Sequence, residues 1–260
     1  MIFRPGFTCR QATGCTVDDG CDTVRSSNVI AELTGTEFPD EVIAIGGHID
    51  SWDVGQGAID DAGGAFAAWE ALKLLNDLGL RPKRTIRAIM WNAEENSGAG
   101  ANDYYARHSA EKHLAVFESD GGVWAPYAHT FAQASVTEVE FEGLQKAGEQ
   151  LTRIGAGNVT YGGGGADTQV WCQAGTPCGS QVVLDPFTGR PPTNTPEGSG
   201  YFWYHHTDAD MMTGVKREQI DLCVAAFAGF TWTLAEYGFA PPPAEPLPYT
   251  SAALATAKGK

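Results

Sequence analysis

The sequence predicts an α/β chain, a three-layer α/β/α sandwich around a mostly parallel, mixed central sheet. Short apolar runs that stop at glycine or at an acid alternate with longer segments of helical period, and the loops after the runs collect His, Asp and Glu. Such alternation implies parallel pairing through right-handed crossovers, with a ligand site beyond the carboxyl ends of the strands. At 260 residues, 43% hydrophobic and 19% charged, the chain is long enough to bury this core and lies far from the composition of disorder.

Residues 41–47 (EVIAIGG) read as a first buried strand, apolar and ended by glycines. Residues 62–80 follow as a helix: Phe66, Trp69, Leu72 and Leu75 recur at steps of three, Leu74 and Leu78 lie beside them, and Pro82 follows the end. Residues 85–91 (TIRAIMW) form the second strand, 100–108 a helix, 114–118 (LAVFE) the third strand and 180–184 (SQVVL) the fourth. A long helix over 219–237, with Leu222, Ala226, Phe230 and Leu234 on its apolar side, closes the fold, and Pro241-Pro242-Pro243 marks the exit from it. The glycine run 162–165 lacks the Lys-Ser/Thr ending of a phosphate loop and is expected as a flexible loop near the substrate. One domain is expected over residues 26–239, between a poorly defined segment 1–25 and a tail 240–260.

The formal charge of −15 comes from 32 acidic against 17 basic residues. That excess argues against nucleic acid or an anionic membrane surface as partner, because phosphate-binding surfaces need clustered Lys and Arg. It suits a site that collects divalent cations, with plain solubility as the simpler explanation. No run of 18 or more apolar residues occurs, and the first 20 residues show no apolar signal-peptide core. None of the six cysteines forms a C-x-x-C pair, which disfavours a zinc knuckle. Cys9, Cys15 and Cys21 are expected as unpaired thiols in the N-terminal segment, while Cys172 and Cys178 bracket a turn-forming QAGTP that a short disulfide would close in an oxidising compartment.

The chemistry gathers in four segments: GGHIDSWDVGQGAIDDAGG, WNAEENSGAG, ESDGG and YFWYHHTDAD. Unpartnered carboxylates are costly to bury, so acids gathered at strand ends beside histidine call for a cation. Mixed imidazole and carboxylate donors suit zinc, whereas an all-oxygen set would suit calcium or magnesium. His48 follows a Gly-Gly strand exit, and Asp50 shares its face two residues on, where a carboxylate would hold the free ring N–H or steer the loop. His108, His113 and His129 lack such neighbours and are expected at the surface. Asp60-Asp61 stands before a helix start; one N-cap accounts for Asp61 and leaves Asp60 as a bridging ligand. Glu94-Glu95 ends an apolar strand where adjacent side chains diverge, so one carboxylate can bind metal while the other accepts a proton from water. Of His205 and His206 only one is expected to face the site, since neighbours in an extended segment point to opposite sides. Tyr201, Phe202, Trp203 and Tyr204 read as a pocket wall, with core packing as the alternative.

Taken together and in this order, the four motifs resemble the di-zinc aminopeptidase family of metallopeptidases, most closely its carboxypeptidase Q-like (plasma glutamate carboxypeptidase-like) branch, over residues 26–239. The resemblance implies a peptidase catalytic domain with two Zn2+ ions per chain, hydrolysing dipeptides or short peptides as an exopeptidase. It assigns His48 and Asp120 to one zinc, Glu95 and His206 to the other, Asp60 to both, and the general base to Glu94. His206 is preferred over His205 because the family histidine is followed by Thr or Ser and then Asp, as in His206-Thr207-Asp208-Ala209-Asp210. Asp50 and Asp210 are expected as outer supports of the ligands. Relatives in this branch carry a long N-terminal region with a leader and an inserted domain, and a secreted or periplasmic setting; the chain accordingly reads as a fragment or a minimal version. A homodimer is carried as an option. The rival readings are a single-zinc glutaminyl-cyclase-like acyltransferase, and a catalytically weak fragment or receptor-like binding module on the same scaffold. Neither a G-x-S-x-G elbow nor an H-E-x-x-H motif is present.

Overall fold

Runs that are apolar on both faces take the middle of a sheet, and runs with one polar face take its margins. The computed structural model describes residues 2–3, 8–10, 23–192 and 200–242. Its strands, in chain order, are β1 (Ile2–Phe3), β2 (Thr8–Arg10), β3 (Thr23–Arg25), β4 (Val29–Leu33), β5 (Phe38–His48), β6 (Arg84–Trp91), β7 (Lys112–Glu118), β8 (Pro126–Phe131), β9 (Asn158–Tyr161) and β10 (Cys178–Val183). Eight of them form one sheet in the order β1-β4-β6-β5-β7-β10-β8-β9, while β2 and β3 pair separately. The central strands β6, β5, β7 and β10 run parallel; β4 and β8 join them antiparallel, so the sheet is mixed around a parallel middle.

Alternate residues of β5 feed two different cores. Ile43 and Ile45 pack with Ala67, Ala68, Leu72 and Leu75 of α1 (Ala62–Asp77) and with Phe227 and Phe230 of α7 (Arg217–Tyr237). Val42 and Ala44 pack on the other face with Ala101 and Tyr104 of α3 (Ala99–His108) and with Trp171 of α5 (Gln169–Gln173). A third helix on the first face, α4 (Glu138–Glu149), adds Phe141, Leu144 and Ala147. These are the three layers that the alternation of strand and helix predicts.

Three expectations are corrected. The predicted helix over 62–80 forms over Ala62–Asp77, but its buried stripe is Ala65, Ala68, Leu72 and Leu75, and Phe66 is 53% exposed. Bulk does not select the inward face here: alanines let α1 lie close to the sheet. His108, His113 and His129 are buried rather than at the surface. His108 Nδ1 pairs with Glu111 at 2.6 Å, His113 Nε2 meets the Tyr104 hydroxyl at 3.1 Å, and His129 stacks on Phe230 with ring centres 4.0 Å apart. Beyond the expected elements lie β4, β8, β9, α4 and α5. Cys172 and Cys178 form a disulfide with Cα atoms 5.2 Å apart, and Cys223 is a buried free thiol. Cys15 and Cys21 lie outside the described residues.

Two glycine pairs explain how the ligand loops come together. A Cβ on Gly47 would strike the Asp61 carboxylate and Ala65 N, and one on Gly64 would strike the Ser119 carbonyl and the same carboxylate. Glycine at both places lets the start of α1 close onto the carboxyl ends of β5 and β7.

Candidate active site

The carboxyl end of β5 delivers His48, buried at 1% exposure. Its main-chain N–H donates to Asp61 Oδ2 at 3.1 Å, and Asp61 Oδ1 accepts from Gly64 N at 3.2 Å, so the cap of α1 also fixes His48. The expected N-cap role of Asp61 is thus the observed one. Its neighbour Asp60 points outward into the loop cluster. Asp60 Oδ1 lies 3.1 Å from His48 Nε2, and Asp60 Oδ2 lies 3.5 Å from His206 Nε2. One carboxylate therefore faces two histidines from different ends of the chain.

On the β6 side, Ala93 has φ +61 and ψ +39, a left-handed turn that starts the one-turn helix α2 (Glu94–Ser97). Glu94 Oε2 then lies 4.0 Å from His48 Nε2, and Glu95 Oε2 lies 2.8 Å from His206 Nε2. Asp50 holds this turn: its Oδ1 accepts from Glu94 N at 3.1 Å and its Oδ2 from Glu95 N at 3.2 Å. Of the two roles expected for Asp50, its carboxylate takes the one on the loop. The His48 ring nitrogen Nδ1 meets the Asp50 main-chain carbonyl at 2.8 Å, and the Asp50 carboxylate, 3.8 Å from Nδ1, supports the two glutamates instead. Following β7, Asp120 Oδ1 lies 3.8 Å from His48 Nε2 and accepts from the Tyr201 hydroxyl at 3.1 Å. Asp210 Oδ1 accepts from Ile59 N at 2.7 Å, and the Asp210 carbonyl accepts from Gln56 N at 2.7 Å, which ties the segment after His206 to the loop that carries Asp60.

Tyr201 begins a one-turn helix, α6 (Tyr201–Tyr204), that runs directly into His205 and His206. The segment is not extended, and His206 takes φ +59, so both imidazoles turn to the same side and stack with centres 3.6 Å apart. The expectation that only one would face the site is corrected by that left-handed residue. His205 Nε2 lies 3.8 Å from Asp60 Oδ2. Trp52 packs against the His206 ring at 5.5 Å and Phe202 against the His205 ring at 5.4 Å, and both aromatic side chains are exposed.

Electrostatics in this cluster call for positive charge. Burial and the neighbouring carboxylates push Glu94 up to about 7. Burial works against a charged His48, yet its hydrogen bond to Asp60 and the fields of Asp61 and Asp120 carry it up to about 12. Burial likewise raises Glu95, and Glu95 Oε1 is buried without a partner. Among the described residues, the ion-pair partners of Asp50, Asp60, Glu94, Glu95 and Asp120 are His48, His205 and His206, with no lysine or arginine. Donor atoms of His48, Asp60 and Asp120 lie within 4.8 Å of one another, as do those of Asp60, His205 and His206. This donor set, with an orphaned carboxylate oxygen aimed inward, fits metal ions of zinc's preference for nitrogen and oxygen.

Sequence reasoning missed two acids here. Glu118 ends β7 and is fully buried, with both carboxylate oxygens unpartnered, and Asp167 is buried with Oδ1 unpartnered. The chain passes Glu118 through Gly165, where a Cβ would collide with its carboxylate, so the glycine run 162–165 serves this close approach. The fully apolar run ahead of Glu118 was the available signal, since an acid closing a doubly buried strand has nowhere polar to go except the site.

The model of Peptidase family M28 matches residues 28–231. Carboxypeptidase Q of Mus musculus is 40% identical over 220 residues, covering 81% of this chain and 42% of that protein. The chain thus spans less than half the length of the curated relatives it matches. Among solved structures, a peptidase M28 precursor from Shewanella amazonensis superposes with TM-score 0.72 at 33% identity, over 86% of this chain and 48% of that one. A glutaminyl cyclase from Porphyromonas gingivalis shares the fold, with TM-score 0.56 at 18% identity over 87% of this chain and 83% of that one. With the family model covering most of its length and that level of identity, the chain belongs to peptidase family M28.

Proposed function

We propose that this chain is the catalytic part of a zinc-dependent exopeptidase acting on dipeptides or short peptides. The observation that carries the reading is the Asp60 carboxylate, whose two oxygens face His48 and His206 separately, at 3.1 and 3.5 Å. His48 and Asp120 would hold one ion, Glu95 and His206 the other, and Asp60 both. Zinc bound there supplies Lewis-acid polarisation of the scissile carbonyl and acidifies water. The protein's own residues do the rest. The Glu94 carboxylate stands 4.0 Å from His48 Nε2, beside the proposed ligands. It accepts the proton of the attacking water and returns it to the leaving amine. Asp50 keeps that carboxylate aimed by gripping the main chain of Glu94 and Glu95. The surplus of acids suits the free amine of a peptide, which favours cleavage beside a chain end. An oxidising compartment, secreted or periplasmic, fits the Cys172–Cys178 bridge.

Metal content of the purified chain, measured alongside hydrolysis of a dipeptide panel before and after chelation, tests the reading. Two zinc ions per chain and chelation-sensitive hydrolysis are expected, and Glu94→Gln should keep both ions while losing roughly 10²–10⁴-fold in turnover. Wild-type activity in that variant would refute the base assignment. The fold shared with a glutaminyl cyclase supports a second reading, an acyltransferase with a single ion. One zinc per chain and no dipeptide hydrolysis would favour it. A second donor group, Asp60 with His205 and His206, beside that of His48, Asp60 and Asp120 favours the first.

A further inference from the structure

Tyr201 was expected to wall a pocket, yet its hydroxyl reaches into the cluster. It donates to Asp120 Oδ1 at 3.1 Å, that same oxygen faces His48 Nε2 at 3.8 Å, and the hydroxyl also bears on the Asp60 carboxylate. Asp120 has little else to hold it. It stands beyond the end of β7 and before Gly121 and Gly122, the latter with φ +91, so its own backbone is not a stiff support. Tyr201, by contrast, is well fixed. It packs against the large core, its ring lies 5.1 Å from His205, and its carbonyl accepts from His205 N at 3.0 Å. A carboxylate oxygen has two lone pairs, so Asp120 Oδ1 can accept the phenol hydrogen on one and face a cation with the other.

We propose that Tyr201 is a positioning residue for one of the two metal positions: its hydroxyl holds the Asp120 carboxylate toward His48 and Asp60, and so sets the affinity of that position more strongly than that of the Glu95–His206 position, which it reaches only through the shared Asp60. This rests on the metallopeptidase reading above. Outer partners of metal ligands typically change affinity 10–100-fold, and that is the expected effect here. Tyr201 also stands at the head of the turn that ends in His206, so one short helix serves both positions through different atoms.

The test is titration of the metal-free full chain with Co2+, read by visible absorption and by calorimetry. The wild-type chain should take up two equivalents. Tyr201→Phe, which keeps the ring and its packing, should bind one equivalent 10–100-fold more weakly and the other with a smaller loss, because Asp60 is the one ligand of that position the hydroxyl reaches. Tyr204→Phe is the control: Tyr204 lies on the same turn but packs on Trp124 and Phe187, and both affinities should stay unchanged. On an Asp120→Ala background, Tyr201→Phe should have a much smaller effect, because the carboxylate it chiefly acts through is gone and only the contact with Asp60 remains. Two unchanged affinities in Tyr201→Phe, or an equal loss at both positions, overturns the inference alone. A wild-type chain that takes up no cobalt overturns the metallopeptidase reading with it.

Discussion

Removing the Asp50 carboxylate should disable the site through the two glutamates, without disturbing His48. The carboxylate accepts two main-chain N–H groups, at 3.1 and 3.2 Å. Hydrogen bonds to a charged acceptor contribute about 1.5–3 kcal/mol each, so Asp50→Ala removes roughly 3–6 kcal/mol of restraint from one turn. That turn is already under load, because Ala93 sits at φ +61, a conformation that costs an L-residue about 1–2 kcal/mol. Freed of its clasp, the turn should relax and carry Glu94 and Glu95 out of register together. A misplacement of about 1 Å in catalytic groups is worth about 10²-fold in rate, and that is the expected fall in kcat/KM for dipeptide hydrolysis. Asp50→Asn keeps one acceptor oxygen but turns an NH2 toward the other backbone N–H, so an intermediate loss of about tenfold is expected, equivalent to roughly 1.4 kcal/mol. The His48 ring is held by the Asp50 main-chain carbonyl at 2.8 Å, which both variants retain. Metal analysis should therefore show weaker binding of the ion at Glu95 and His206, with the ion at His48 kept. Wild-type kcat/KM and two tightly held ions in Asp50→Ala would refute the clasp, and selective loss of the His48-side ion would show that the carboxylate serves the ring after all.

Further predictions concern the scaffold. Burial holds His129 down to about 3, against an ordinary value of 6.5; the unfolded chain therefore binds a proton that the folded chain refuses between those values, and stability falls as pH drops through that window. The slope for this one group is about 1.4 kcal/mol per pH unit, or about 3 kcal/mol lost by pH 4, so His129→Phe should narrow the gap between denaturation midpoints at pH 7 and pH 4; an unchanged gap would refute it. Reducing the Cys172–Cys178 bridge, which closes a short loop, should lower stability by about 2 kcal/mol, visible as a drop of about 5 °C in Tm; an unmoved Tm argues that the loop is held by its other contacts. Gly64→Ala places a Cβ on the Ser119 carbonyl and the Asp61 carboxylate and should destabilise the fold by roughly 3 kcal/mol while weakening metal uptake; a neutral result in urea unfolding would mean that α1 can slide from the sheet.

The strands that sequence patterning finds are those that packing makes unambiguous. β5, β6, β7 and β10 are parallel; β5 and β7 show as apolar runs (VIAIGG, LAVF), while β6 and β10 show apolar stretches broken by Arg87 and by Ser180 and Gln181. β4 and β9 are short and carry polar residues at the margins, as in VIAEL and NVTY, and no period separates them from loop. α4 was legible on closer reading. Thr137 and Glu140 form a capping box, with Phe141, Leu144 and Ala147 at helical spacing behind it. The inward face of α1 was not legible, because size and hydrophobicity favour Phe66 while the sheet leaves room only for alanine at that distance.

Within the site, the legible part is the part tied to strand ends. His48, Glu94, Glu95 and Asp120 each follow a buried strand closely, and a polar group there either finds water, a partner or an ion. Asp60 and His206 needed loops whose course depends on single backbone angles, and the difference shows at His205 and His206. Alternation along an extended chain sends neighbouring side chains apart, and it fails here because α6 stops at His205 and His206 adopts φ +59. A left-handed β-carbon-bearing residue costs about 1–2 kcal/mol, so something must hold it. The ring of His206 is held by Glu95 at 2.8 Å and packed by Trp52 at 5.5 Å. Those partners come from segments more than 100 residues earlier in the chain, which is why no local pattern could report the turn. The strain is thus sustained by the site's own contacts, and it has a direct consequence. Trp52→Ala should loosen His206 and lower metal affinity at the Glu95 position although tryptophan contributes no ligand atom, whereas an unaffected affinity would mean that the Glu95 contact alone holds the left-handed turn.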